Sequence, residues 1–327
     1  MDFRSNHVKS IHFRRAILPG IAVLALALTA CGGQDDSASA SGGEAASGAV
    51  AVDGSSTVYP LSNAAAELLN EENPDVKVTV GEAGTGGGFE VFCADQTDIS
   101  DASRPIEDDE AAACTDGGVE YTELQVATDA LTVVVNPDLD IDCLTTEQLK
   151  TIWEPGAEGE VTNWSQVDPS FPDETISLFG PGTDSGTFDY FTEAINGKEG
   201  ASRTDYEASE DDNVIVQGVS GTPGAMGYFG YTYYEENADS LKAVAVDSGS
   251  GCVAPSPETS QDGTYAPLSR PLFIYVSNAS YRDKPQVAEF VDFYIDNLPD
   301  ITEAAQFISL NDEQTAETQS ALDGIKG

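Results

Sequence analysis

The 327-residue sequence predicts an α/β fold with mainly parallel sheets, and two observations carry that expectation. From residue 49 onward, short apolar segments alternate with Gly-rich or hydroxyl-rich loops and amphipathic stretches, in the repeated order strand, loop, helix. The composition, 40% hydrophobic and 8% aromatic, is rich enough to bury a core even though 57 acidic residues face 14 basic ones for a formal charge of −43. That charge repels nucleic-acid phosphates and anionic lipid, so sequence-independent binding to either is not expected. An anion could be held only by local geometry.

Taken in order, residues 49–52 read as a strand, Gly54-Ser55-Ser56-Thr57 as a turn, and Tyr59, Leu61, Ala64, Ala65, Leu68 and Leu69 as a helical stripe ended by Pro74. Residues 76–80 are a second strand, 84–88 a second loop and 89–94 a short helix. A strand over 98–100 runs into Ser103-Arg104-Pro105, and residues 121–125 and 131–135 read as two further strands. A second region carries a helix over 145–153, a strand over 177–179, the loop 180–187 and a helix from Phe188 to about Ile195. Beyond about 267 come the fully apolar strand 272–276 and helices over 285–297 and 302–307, with no internal repeat of 20 to 50 residues anywhere.

The start of the chain reads as an export signal rather than structure. Arg4, Lys9, Arg14 and Arg15 form a basic region ahead of a 15-residue apolar stretch, 16–30, too short for a membrane span. Leu28-Thr29-Ala30-Cys31-Gly32 resembles the lipobox of bacterial lipoproteins, with Cys31 as the lipidated first residue after cleavage. Residues 31–48 are small and polar and read as a flexible tether.

Cleavage after residue 30 would leave 10 basic against 56 acidic residues and remove both histidines, His7 and His12. A mature chain without histidine has no Ser-His-Asp triad, Cys-His dyad or His-based zinc site, so most hydrolase chemistry is excluded and no enzyme is expected. No cofactor and no metal are expected either. Four cysteines remain, and an even number in an exported chain suggests two disulfides; of the three connectivities, Cys93–Cys114 with Cys143–Cys252 is favoured.

Three loops rich in hydroxyls or glycine each follow a strand and open a helix, where unpaired N–H groups and the positive end of the helix dipole favour anions. They contain Ser56 and Thr57, Gly86 to Gly88, and Ser185-Gly186-Thr187. Any one of them is also what an ordinary helix cap looks like. Only four arginines lie beyond the signal, Arg104, Arg203, Arg270 and Arg282, and Arg104 sits in the half that holds two of the loops. Its planar fork suits an oxyanion.

Asp53-Gly54-Ser55-Ser56-Thr57-Val58-Tyr59-Pro60, Gly84-Thr85-Gly86-Gly87-Gly88-Phe89, residues 98–106 with Ser103-Arg104-Pro105, and residues 180–188 with Ser185-Gly186-Thr187 resemble, in the same order, the substrate-binding proteins of phosphate ABC transporters, the PstS family, and most closely its SphX-like lipoprotein branch. The resemblance implies a type II periplasmic binding protein fold: two α/β lobes, two hinge crossings and one phosphate between them. It implies lobe 1 over 49–136 plus 267–327 and lobe 2 over 137–266. By motif position, Ser56, Thr57, Thr85, Gly86, Ser103 and Arg104 would bind phosphate from lobe 1, and Ser185, Gly186 and Thr187 from lobe 2.

Where well-known members carry an arginine shortly before Ser-Gly-Thr this chain has Pro181, and where they carry an aspartate it has Ser103. Asp184 is the candidate to accept the proton of hydrogen phosphate. The implied partners are inorganic phosphate, a transmembrane permease and, through the lipid, the outer face of the cell membrane; the protein would be exported, lipid-anchored and monomeric. Two alternatives remain: another oxyanion such as sulfate, or a calcium-dependent surface protein using the acidic runs 107–110 and 210–212. Neither run has EF-hand spacing.

Overall fold

The computed structural model describes residues 46–183 and 185–326. The export signal, Cys31, most of the tether and Asp184 lie outside the described residues.

Eight strands follow one another through a mixed sheet in the order Val76–Val80, Gly48–Gly54, Ile99–Ala102, Ser269–Ser277, Tyr121–Val135, Ala225–Gly230, Ser177–Pro181 and Glu207–Ser209, and Lys242–Ala243 adds a ninth beside Tyr121–Val135. The outer pairs at both ends are parallel, as the alternation of strands and helices predicts. The centre is antiparallel, because Ser269–Ser277 returns from the far side of the chain and pairs with both Ile99–Ala102 and Tyr121–Val135.

The chain builds two large cores on this sheet. One gathers buried side chains from Val50 to Ala127 and from Leu272 to Ile325, among them Leu61, Phe290 and Tyr294. The other draws on Leu131 to Leu268, around Trp153, Trp164, Phe191 and Tyr228. The change from one core to the other therefore falls between Ala127 and Leu131 and again between Leu268 and Leu272. Leu131, Val133 and Val135 pack in the second core, so the first crossing precedes residue 136 by several positions.

The two strands expected at 121–125 and 131–135 are one 15-residue strand, Tyr121–Val135. Polar Thr128 and Asp129 look like a break in the sequence. Both are buried, and Asp129 is matched across the ladder by Arg270, so the strand runs through the crossing unbroken.

The acidic runs have a local explanation. Glu107 caps the helix Asp108–Gly117 in a reciprocal box with Glu110, and Asp211 caps Asp212–Gly221 by accepting from the Asn213 N–H. Carboxylates there face the positive helix end. Among the described residues no three or more candidate ligands gather as a metal site. Both disulfides are present, Cys93–Cys114 and Cys143–Cys252. The first ties the helix Thr85–Cys93 to Asp108–Gly117.

Candidate functional site

Close packing of glycines assembles the first-core half of the site. Gly54 ends its strand at φ +143°, and a Cβ on it would stand 2.2 Å from the Asp101 carbonyl oxygen. A Cβ on Gly88 would stand 2.5 Å from the Gly54 Cα. With neither present, the start of Thr85–Cys93 lies directly against the turn that carries Ser55, Ser56 and Thr57. Ser103 joins the cluster by accepting or donating at Thr85 Oγ1, 3.2 Å away, while its own N–H donates to the same oxygen.

The second-core half arrives on the helix Gly186–Phe191, capped by Ser185, whose Oγ accepts from the Thr187 N–H. A Cβ on Gly186 would approach Thr57 Oγ1 to 3.2 Å, so the two halves meet at this residue. Between them lies a cavity of about 560 Å³.

Its walls hold seven of the ten residues expected to bind the ligand: Ser56, Thr57, Thr85, Gly86, Ser103, Arg104 and Gly186. Ser185 and Thr187 flank Gly186 without lining the cavity; Thr187 faces a smaller one of about 180 Å³. Asp184, the expected proton acceptor, lies outside the described residues.

Arg104 is at the cavity wall, but its guanidinium makes two bonds of 2.8 Å to Glu110. That hydrogen bond, with the carboxylates around it, raises the arginine's pKa further. Burial works to raise Glu110, yet the bonds from Arg104 and the Glu107 N–H hold it below the usual carboxylate range.

Four charged wall residues are not among those the sequence assigns to the ligand: Arg270, Asp189, Glu193 and Glu199. Arg270 stands on the returning strand Ser269–Ser277, donates to Asp129 Oδ2 at 3.2 Å and to Thr57 Oγ1 at 2.9 Å, and lies 3.6 Å over the Tyr190 ring. Burial raises the pKa of Asp129, against the pull of Arg270. Burial and the charge of Glu199 raise Asp189, again opposed by Arg270. The site therefore offers hydroxyls, helix-start N–H groups and two guanidinium groups to an anion, and carboxylates to any proton that the anion carries.

The model of the PBP superfamily domain matches residues 39–297. The chain is 48% identical to Protein SphX of Synechocystis over 300 residues, covering 91% of this chain and 86% of that protein. It is 41% identical to the phosphate-binding protein PstS of Staphylococcus saprophyticus, with 92% of each covered. The chain belongs to the SphX and PstS family of the PBP superfamily. Among solved structures, one described as "a possible phosphate binding protein" of Planctomyces limnophilus superposes with a TM-score of 0.82 at 47% identity, over 86% of this chain and all of that one. In this SphX and PstS frame, the four quoted motifs occupy three loops and a strand end around one cavity.

Proposed function

We propose that the chain is an extracytoplasmic binding protein that captures inorganic phosphate between two lobes and hands it to an ABC permease. The carrying observation is the cavity itself, walled by Ser56, Thr57, Thr85, Gly86, Ser103 and Arg104 from one core and Gly186 from the other. The lobes are the two cores, exchanging between Ala127 and Leu131 and between Leu268 and Leu272. Relatives named as phosphate-binding proteins support the ligand. In this reading the chain binds without catalysing, in keeping with relatives named as binding proteins.

The carboxylates in the wall favour phosphate over sulfate. Near neutral pH phosphate keeps one or two protons that Asp189, Glu193 or Glu199 can accept, whereas fully ionised sulfate meets them only as like charges. Asp184 is a further acceptor in this reading. Cys31 carries the lipid that holds the monomer at the membrane face.

Calorimetric titration of the full chain in detergent, stripped of bound anion, tests the reading. Tight one-to-one binding of phosphate with none of sulfate is expected, and tight sulfate binding overturns the ligand. Loss of labelled fatty acid in Cys31→Ser checks the anchor.

A further inference from the structure

The two arginines in the cavity wall are engaged to different degrees. Both terminal nitrogens of Arg104 bond Glu110 at 2.8 Å, one also reaches the Pro105 carbonyl at 3.2 Å, and Nε lies 3.4 Å from Glu107. Arg270 spends Nε on Asp129 and one N–H of a terminal nitrogen on Thr57, and its other terminal nitrogen makes no hydrogen bond among the described residues. Of the five N–H groups of a guanidinium, Arg270 thus keeps several for a ligand. It is also the more deeply set, its side chain 15% exposed against 37% for Arg104. Charge acts more strongly where water is scarcer.

Arg270 is fixed from three sides. Asp129 stands opposite it in the ladder, Thr57 belongs to the first-core turn, and Tyr190 to the second-core helix. Because Thr57 Oγ1 accepts from Arg270, the threonine's own hydrogen is left to donate elsewhere. We propose that Arg270 is the principal cation for the anion in this cavity, with Asp129 as its positioning residue, and that Arg104 is a secondary contact committed to Glu110. The proposal rests on the phosphate reading above and assigns it a residue from the crossing strand, between the lobes, rather than from any of the motif loops. An anion seated on Arg270 touches the group that already joins turn, helix and crossing, so occupancy and closure are linked at one side chain.

The test is calorimetric titration of inorganic phosphate into the full chain and into Arg270→Gln, Arg104→Gln, Arg270→Lys, Arg104→Lys and the double variant Asp129→Asn with Arg270→Gln. Arg270→Gln is expected to weaken binding about 100-fold and Arg104→Gln about tenfold or less, the range of hydrogen bonds to charged groups. The double variant removes the carboxylate that Arg270→Gln leaves unpaired, and it is expected to stay at least about tenfold weak. Recovery of full affinity in the double variant, or a larger loss in Arg104→Gln than in Arg270→Gln, overturns the proposal. Should melting curves show Arg270→Gln unfolded, Arg270→Lys set beside Arg104→Lys decides: both keep the charge and lose the fork, so a larger loss of affinity at 270 supports the assignment and a loss at 104 as large or larger overturns it. Failure of the unaltered chain to bind phosphate would instead undo the ligand reading.

Discussion

Asp101 lies fully buried under the turn that presents Ser56 and Thr57; its carbonyl accepts from the Ser55 N–H, its Oδ1 accepts from the Ser62 hydroxyl, and its Oδ2 has no partner among the described residues. Burial pushes its pKa up to about 8, opposed by Ser62 and reinforced by the charge of Asp53. The folded protein therefore holds a proton there that the unfolded chain, with a value near 3.8, gives up. Stability from this group is full below about pH 4 and declines as pH rises toward 8. Asp101→Asn removes the titration, so its melting temperature should exceed that of the unaltered protein by a margin that grows from pH 5 to pH 8. A margin constant with pH would show that Asp101 does not take up this proton. Gly186→Ala belongs to the same scale. Its new methyl would stand 3.2 Å from Thr57 Oγ1 across the cavity, so phosphate affinity should fall by about tenfold while the melting temperature of the anion-free protein holds.

Among the elements, the helix Thr85–Cys93 depends on Gly88, which meets Gly54 backbone to backbone. Gly88→Ala must push that helix from the turn at a cost of about 1 to 3 kcal/mol, and phosphate affinity should suffer with stability; chemical denaturation and titration of the same sample check both. The Gly-Thr-Gly-Gly-Gly loop was legible as a helix start, but the helix begins at Thr85 rather than at Phe89, since glycine gives no periodic signal. Strands with a clear apolar run were legible for the same reason that they are buried, as at Leu272 to Val276. The helix Asp108–Gly117 leaves no clear periodic signal in the sequence, since its acidic first turn and three alanines show little apolar stripe. Arg270 was visible as one arginine of four, but its partner Asp129 lies 141 residues away, and only the register of two crossing strands brings them together. The disulfides act on this same framework. Cys143–Cys252 closes a separation of 109 residues and Cys93–Cys114 one of 21, so serine pairs should cost about 5 and about 3 kcal/mol in denaturant unfolding. The smaller loss should carry the larger effect on phosphate, because that bridge joins the Gly-rich helix to the helix bearing Glu110.

At the scale of the whole molecule, a formal charge of −43 surrounds a site meant for an anion. The field of so many carboxylates repels phosphate over distances of about 30 Å at 0.01 M salt, whereas at 0.15 M it is screened beyond about 8 Å. The attraction inside the cavity comes from contacts of about 3 Å, such as those that Arg270 and Thr57 make now, and salt screens these far less. The two contributions therefore respond differently as salt is added: repulsion fades first and the local bonds persist. Phosphate affinity, measured in chloride between those two salt concentrations, should rise severalfold or hold level, with the gain appearing in the association rate. A basic anion site shows the opposite slope, weakening steadily with salt. Observation of that slope here would mean that the arginines in the wall attract at long range despite the carboxylates beside them, and that Glu110 and Asp129 neutralise them less than their bonds imply.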